Sequence, residues 1–588
     1  MKHVTETLGD FTTDRRVIPI TGLALVIGCV SAIVAFVLLK LIALFTNIAF
    51  FGQLSTSSKT PAESHLGLWV VLVPAIGGLI IGFMARFGSE KIRGHGIPEA
   101  LEAILLGRSK IEAKVAILKP LSSALSIGTG GPFGAEGLII MTGGACGSLI
   151  AQLFHLSSAE RKTLLVAGAA GGMSAVFGTP CAAVLLAVEL LLFEWKPRSL
   201  IPVAFSSIAA SALRVPRLGH GPIFDLPSHP STGMIGLGFA CLVGLVAGIG
   251  SGVLTKMVYG FEDLFPKIKI HWMYWPAIGG LFVGLGGFFD PRVLGVGYGT
   301  IQLLLSGQIV GVAALSLLIS KSIVWSLSLG SGTSGGVLAP LLMMGGTLGA
   351  LAGQVIPVGS PGLWALVGMA AMMGGTMRSP FTAVIFALEL TYDIQTLPSL
   401  LVACIASEMV TVLWLKRSIL TEKVARSGHH LTREYSIDPF EIHRVGEIMT
   451  TTFVSASSQA KISELSNPNF AGFDWFVKER ALPLVNSSDR LVGIITQGDY
   501  LRALDAQDMD DATLLDAGND EVVTIKDTDV VREAVVKLLT SNIERLIVVD
   551  SDQAGKIVGY LDRSTVMDAH LRWYEEEHIR ERPLRFMA

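Results

Sequence analysis

Apolar residues dominate the chain as far as Trp414, and from Lys416 onward charged and polar residues interleave with them. The first run, Val17 to Phe51, carries a single charge, Lys40. As one helix it would extend ~52 Å at about 1.5 Å per residue, against roughly 30 Å of bilayer hydrocarbon, which predicts a steep tilt or a break. The run also exceeds the apolar core of a signal peptide, so it is expected to stay in the mature protein. Further apolar stretches follow between residues 66 and 415, several of them too short to span. Gly-rich breaks separate them, among them GHGIP, GTGGPFGAEG, GVGYG and GSGTSGG. Irregular backbone survives at membrane depth only where protein buries it or where it lines a cavity. The pattern predicts an α-helical polytopic membrane protein over residues 17–430. It follows a segment, residues 1–16, whose Arg15 and Arg16 favour the cytoplasmic side.

These runs repeat. PAIGGL at Pro74 returns at Pro276, 202 residues on. GTGGPFGAEGL from Gly128 aligns with GSGTSGGVLAP from Gly330 at the same spacing, and TPCAAVLLAVEL (Pro180, Glu189) aligns with SPFTAVIFALEL (Pro380, Glu389) at a spacing of 200. Three blocks in one order imply two homologous halves, about 17–215 and 233–420. Transporters with repeated halves place their site where broken helices from both halves meet near the midplane.

Composition agrees: of 588 residues 51% are hydrophobic and 16% charged, too apolar for a soluble enzyme of this length. The net charge of −3 and the lack of a basic stripe argue against a nucleic-acid partner. All five cysteines lie in apolar segments without a CxxC pair, so neither disulfides nor a metal site is expected. No HExxH, nucleophile elbow or P-loop points to an enzyme.

Between Pro120 and Phe154 the one charged side chain is Glu136. A lone carboxylate at bilayer depth costs several kcal/mol unless it is paired, solvated or protonated. It is either a structural group held by nearby amides or a titrating gate in an anion path. Gly134 and Gly137 flank it, so the backbone there can turn tightly and offer amides at a helix start, which attracts anions. GSGTSGGVLAP presents amides near Val337 and Leu338 in the same way, with Pro340 suited to a first turn, and GHGIPEA is a third helix start at Gly94.

GHGIPE at Gly94, GAEGL at Gly134 and GGVLAP at Gly335, in this order, resemble the anion-site signatures of the CLC family of chloride channels and chloride/proton exchangers. The resemblance covers essentially all of residues 17–430. It implies a homodimer with a separate pore in each subunit, two inverted-topology halves, and helix N-termini converging on chloride. The anion-binding positions it indicates are Gly94, His95, Gly96, Ile97, Gly134, Ala135, Gly137, Val337, Leu338 and Leu420. Glu136 takes the place of the gating glutamate, which competes with chloride for the same positive dipole ends.

Several positions depart from the family pattern. His95 stands where many members have a serine that donates to chloride. Its imidazole either donates an N–H to the anion or only supports the turn while the backbone binds. Leu420 replaces an anion-contacting tyrosine, so a hydroxyl donor is lost. Leu338 replaces a phenylalanine, and Leu138 replaces a proline. The exchangers commonly carry a second, inner glutamate where this chain has Leu190, although Glu194 lies close by. Neighbouring Glu189 and its repeat partner Glu389 are expected to be structural. The expected function is therefore a gated chloride channel, with coupled chloride/proton antiport as the alternative.

After a linker at 431–443, LVGIITQGDYLRAL from Leu491 matches IVGYLDRSTVMDAH from Ile557, 66 residues on. With RVGEIMT at Arg444, this resembles a tandem CBS pair, an α/β module over 444–504 and 516–570, followed by a charged tail at 571–588. Such pairs often bind adenine nucleotides. GIITQGD supplies Thr496 for phosphate and Asp499 for ribose, whereas GYLDRST has Asp562 and Thr565 in the wrong places. At most one nucleotide site is expected, and a purely structural dimerisation role is the other reading. A nucleotide-binding tail must be cytoplasmic, in agreement with Arg15 and Arg16, so the expected location is a bacterial cell (inner) membrane with both termini cytoplasmic.

Overall fold

The computed structural model describes residues 15–105, 107, 109–219, 221–229, 232–427, 440, 443–505 and 512–578. Most of the expected linker, the segment before Arg15 and the end of the charged tail lie outside the described residues. The described residues form two units, 15–427 and 440–578.

The first unit is built of helices. The Val17–Phe51 run forms one helix, α1, without the break that its length allowed. It stops at Gly52, where a φ of 65° gives a left-handed C-cap that glycine adopts without strain. Then come α2 (Leu72–Phe87), α3 (Ile97–Leu105), α4 (Ala113–Gly128), α5 (Glu136–Ala151), α6 (Ser158–Phe177), α7 (Pro180–Leu186) and α8 (Pro197–Leu218). A π-helical turn, Ala187–Leu192, extends α7. The second half repeats the series as α9 (Gly233–Leu264), α10 (Trp275–Phe289), α11 (Tyr298–Leu305), α12 (Gly311–Gly330), α13 (Leu338–Ala352), α14 (Pro361–Met377), α15 (Pro380–Thr391) and α16 (Leu397–Trp414). A last short helix, α17 (Ile419–Arg426), follows. Among the described residues, seven helical stretches are long and apolar enough to cross a membrane, including those of α1, α9 and α12. Helices α5 and α13 are apolar on every side and buried along most of their length, as helices inside a protein core must be.

The PAIGGL repeats explain how the halves meet. A side chain at Gly78 of α2 would strike the Pro276 carbonyl of α10, and one at Gly280 would strike the Pro74 carbonyl. Gly82 faces the Met273 carbonyl and Gly284 that of Val71. Residue numbers rise along one helix as they fall along the other, so these equivalent helices run antiparallel. That is an inverted-topology repeat about a pseudo-two-fold axis.

Glu189 and Glu389 show the same exchange. Glu389, in α15, accepts hydrogen bonds from the amides of Cys181 (2.9 Å) and Ala182 (2.8 Å) at the start of α7. Glu189, beyond α7, accepts from the Thr382 amide (2.9 Å) at the start of α15 and from its hydroxyl. Each carboxylate satisfies first-turn amides that the other half's helix cannot bond internally. This is the structural role expected of the pair.

The second unit holds two small sheets of identical plan. β1 (Ala456–Ser457) pairs parallel with β2 (Ala481–Val485), which pairs antiparallel with β3 (Leu491–Thr496). β4 (Thr524–Lys526), β5 (Arg545–Val549) and β6 (Ile557–Asp562) repeat this order. Each sheet packs its own apolar core, one around Leu482 and Leu484 and the other around Leu546 and Val548.

Candidate anion site

The three Gly-rich breaks meet. The Gly134 amide donates to the Gly336 carbonyl (3.4 Å), the Gly336 amide donates back to the Gly134 carbonyl (3.2 Å), and the Gly335 amide donates to the Gly94 carbonyl (3.3 Å). A Cβ at Gly96 would overlap the Gly137 carbonyl, and one at Gly137 the His95 carbonyl. Gly94 and Gly96 also hold φ near +95°, a region that other residues rarely adopt. Glycine is required here for contact between loops as well as for turning. The starts of α3, α5 and α13 are thereby drawn together. Helix geometry leaves first-turn amides such as those of Ile97, Gly137 and Leu338 without intrahelical acceptors.

Glu136 opens α5 and is fully buried, at 0% exposure. Its Oε2 accepts from the Ala339 amide (3.4 Å) in the first turn of α13, and its Oε1 accepts from the Tyr298 hydroxyl (3.1 Å) at the start of α11. The carboxylate thus joins a helix start of its own half to two helix starts of the other. Ala135 is the buried N-cap of α5, and Val337 the buried N-cap of α13.

His95 is buried in the loop before α3, and its Nδ1 has no hydrogen-bond partner among the described residues. The Gly96 amide is taken by Glu99 Oε2 (2.6 Å), so Gly96 contributes close packing here and its donor is engaged. Two buried lysines, Lys119 and its repeat partner Lys321, hold the loops. Lys119 Nζ donates to the carbonyls of Ile92 (2.8 Å) and Gly94 (3.0 Å) just ahead of α3. Lys321 Nζ donates to that of Val293 (2.8 Å) ahead of α11.

Leu420 is buried on α17, which packs against α3. The Tyr259 hydroxyl donates to the adjoining Ile419 carbonyl, and Lys423 pairs with Glu262. A cavity of about 280 Å³ opens beside these helices, lined by Glu99, Glu102, Glu262, Lys423 and Arg426 among others. Leu190 is fully buried in the π-helical turn. Glu194 is occupied by Ser199 Oγ (2.9 Å) and Arg198 Nη2 (3.5 Å).

Sequence reasoning missed Tyr298 and Ala339. GVGYG was visible as a Gly-rich break, and the signal that singles out its tyrosine is position: Tyr298 opens α11 as Ile97 opens α3.

In the second unit, Thr496 and Asp499 bond to each other. The Thr496 amide (2.8 Å) and hydroxyl (2.6 Å) donate to Asp499 Oδ2, and Arg502 pairs with Oδ1. The second copy makes the same turn with the residue types exchanged: the Thr565 amide (2.6 Å) and hydroxyl (2.7 Å) donate to Asp562 Oδ1. Burial pushes the Asp562 carboxyl up, but these donors outweigh it and hold the group below the usual carboxylate range. Thr496 and Asp499 line a cavity of about 410 Å³ with Arg480, Glu521, Glu544 and Arg545.

Helix starts from both halves, zipped by glycine backbone around one buried carboxylate within an inverted membrane repeat, define a membrane transport protein for small anions. Residues 77–412 match the voltage gated chloride channel family, and residues 445–506 and 516–572 match the CBS domain. The chain belongs to that chloride channel family, whose members transport chloride, and it carries two CBS domains. It is 28% identical over 384 residues to the voltage-gated ClC-type chloride channel ClcB of Escherichia coli strain UMN026, which covers 63% of this chain and 91% of the relative. Its fold is similar to that of a slow cyanobacterial Cl−/H+ antiporter, with a TM-score of 0.62 and 19% identity over 69% of this chain and 97% of that one. It is also similar to a eukaryotic CLC transporter, with a TM-score of 0.58 and 17% identity over 93% of this chain and 98% of that one.

Proposed function

We propose that this protein is a chloride channel gated by Glu136, passing chloride and similar small monovalent anions passively. The observation that carries this reading is the Glu136 carboxylate seated on the Ala339 amide, where a helix start would otherwise face an anion. Carboxylate and chloride compete for such amides, so protonation or displacement of Glu136 frees the place for the ion. His95 adds a side-chain donor to the anion site, a role supported by its buried and unpartnered Nδ1. The charged cavity beside α3 and α17 serves as the inner mouth.

Leu190 favours a channel over coupled exchange, because the inner position holds no carboxylate and Glu194 is engaged by Ser199 and Arg198. The protein acts as a homodimer in a bacterial cell membrane with both termini cytoplasmic, a reading supported by Arg15, Arg16 and the bacterial relatives. The CBS pair takes one adenine nucleotide in the cavity bordered by Thr496 and Asp499.

Reconstituted protein in a chloride gradient tests the reading. Passive chloride flux without uphill proton movement is expected; proton pumping would make the protein a chloride/proton antiporter. Glu136→Gln should abolish the pH dependence of flux, and flux that keeps its pH dependence would remove Glu136 from the gate.

A further inference from the structure

Tyr298 is the one side chain that hydrogen-bonds the Glu136 carboxylate among the described residues, its other partners being backbone, that of Ala339 and that of Glu136 itself. It comes from the half opposite to Glu136 and is held in place from three directions. Its ring meets Phe177 edge-on (6.1 Å between centroids) and Phe224 (6.2 Å), and Phe177 in turn packs on Phe386 (5.2 Å). The loop before it is tied to the loop before Glu136, because the Gly295 amide donates to the Gly130 carbonyl (3.1 Å). Lys321 anchors the same loop through the Val293 carbonyl. A phenol fixed in this way donates to the carboxylate only while Glu136 stays docked.

We propose that Tyr298 is the latch of the gate, a positioning residue that sets how much of the time Glu136 occupies the anion path. The inference rests on the gating role of Glu136 proposed above. A charge-assisted hydrogen bond favours the ionised, docked carboxylate, so its removal favours both release and protonation.

Most other charged groups on the surrounding elements are turned to partners of their own, to the surface or to the inner cavity, and His95, in the loop against the start of α5, is the titratable neighbour whose Nδ1 has no partner among the described residues. Lys119 of α4 bonds carbonyls, and its Lys114 is exposed at the far end of the helix. Glu99 of α3 caps Gly96, and Glu102 lines the inner cavity. Lys40 of α1 bonds the Thr56 carbonyl, and Glu160, Arg161 and Lys162 at the start of α6 bond Arg16, Leu156 and Leu192. Lys321 is the charged group of α12, and α13 and α14 carry none. The latch therefore acts on Glu136 through one phenolic O–H.

The experiment compares four reconstituted proteins: wild type, Tyr298→Phe, Glu136→Gln and the double variant. Tyr298→Phe keeps the ring packing and loses only the donor. It should raise chloride flux at neutral pH roughly tenfold, and shift the pH at which flux rises upward by about one unit, the scale of one hydrogen bond to a charged group. The double variant should match Glu136→Gln, because a latch without its carboxylate has nothing to hold. Site-specific 3-fluorotyrosine at position 298, a stronger donor, should lower flux, which gives a reading independent of the phenylalanine variant. Wild-type behaviour of Tyr298→Phe, or an effect that persists in the Glu136→Gln background, overturns the latch. Unaltered pH dependence in Glu136→Gln overturns the gate itself, so the two failures are distinct.

Discussion

Replacing His95 by alanine removes a donor from the middle of the proposed anion site. Residue 95 is 3% exposed, so solvent does not screen its contacts, and its Nδ1 has no hydrogen-bond partner to lose among the described residues. The substitution therefore subtracts an interaction with the anion and leaves the remaining network intact. A hydrogen bond to a charged partner contributes about 1.5–3 kcal/mol, and a tenfold change in affinity corresponds to ~1.4 kcal/mol. His95→Ala should accordingly weaken chloride binding by about 10- to 100-fold. His95→Ser, which restores an O–H, should recover most of the loss. The assay is isothermal titration of chloride into protein purified with a large organic anion in place of chloride. Unchanged affinity in a monodisperse His95→Ala protein would refute the reasoning, and would mean that backbone amides alone bind the ion.

Two further predictions concern the exchanged caps and the tail. Glu389→Ala leaves two α7 amides without an acceptor, so it should cost about 1–2 kcal/mol on the scale of helix caps; the check is a lower thermal midpoint by size-exclusion chromatography with the chloride affinity of the remaining folded protein unchanged. Adenosine triphosphate should raise the thermal midpoint of the full chain, and Asp499→Asn should remove that shift; an equal shift in the variant would move the nucleotide away from this cavity.

The repeat was legible because the same blocks recur in the same order, and the glycine breaks and the lone carboxylate because each conflicts with what lipid permits. A charge inside an apolar run and glycine inside a span need reasons, and those reasons proved to be shared. Tyr298 was not legible, because a tyrosine in an apolar protein violates nothing and its importance comes from a partner 162 residues away. The engagement of the Gly96 amide by Glu99 was hidden for a related reason: GHGIPE reads equally well as an open helix start or as one closed by its own acidic residue. The length of α1 permitted a break, but its one proline, Pro19, lies in the first turn, where it disturbs no intrahelical hydrogen bond, so nothing in the run forced one. The near-symmetry of the two CBS copies was only half visible, since a threonine and an aspartate that trade places build the same turn.

The exchanged carboxylates also bear on how the chain is made. Cys181 and Glu389 are separated by 208 residues, so α7 leaves the ribosome long before the group that completes its first turn exists. Until then, its terminal amides must be satisfied by water or by the insertion machinery. The first half therefore waits in the membrane in an unfinished state, and the arrival of the second half completes both. A version split between the halves should need its two fragments synthesised together, and either fragment alone should be a substrate for quality-control proteolysis.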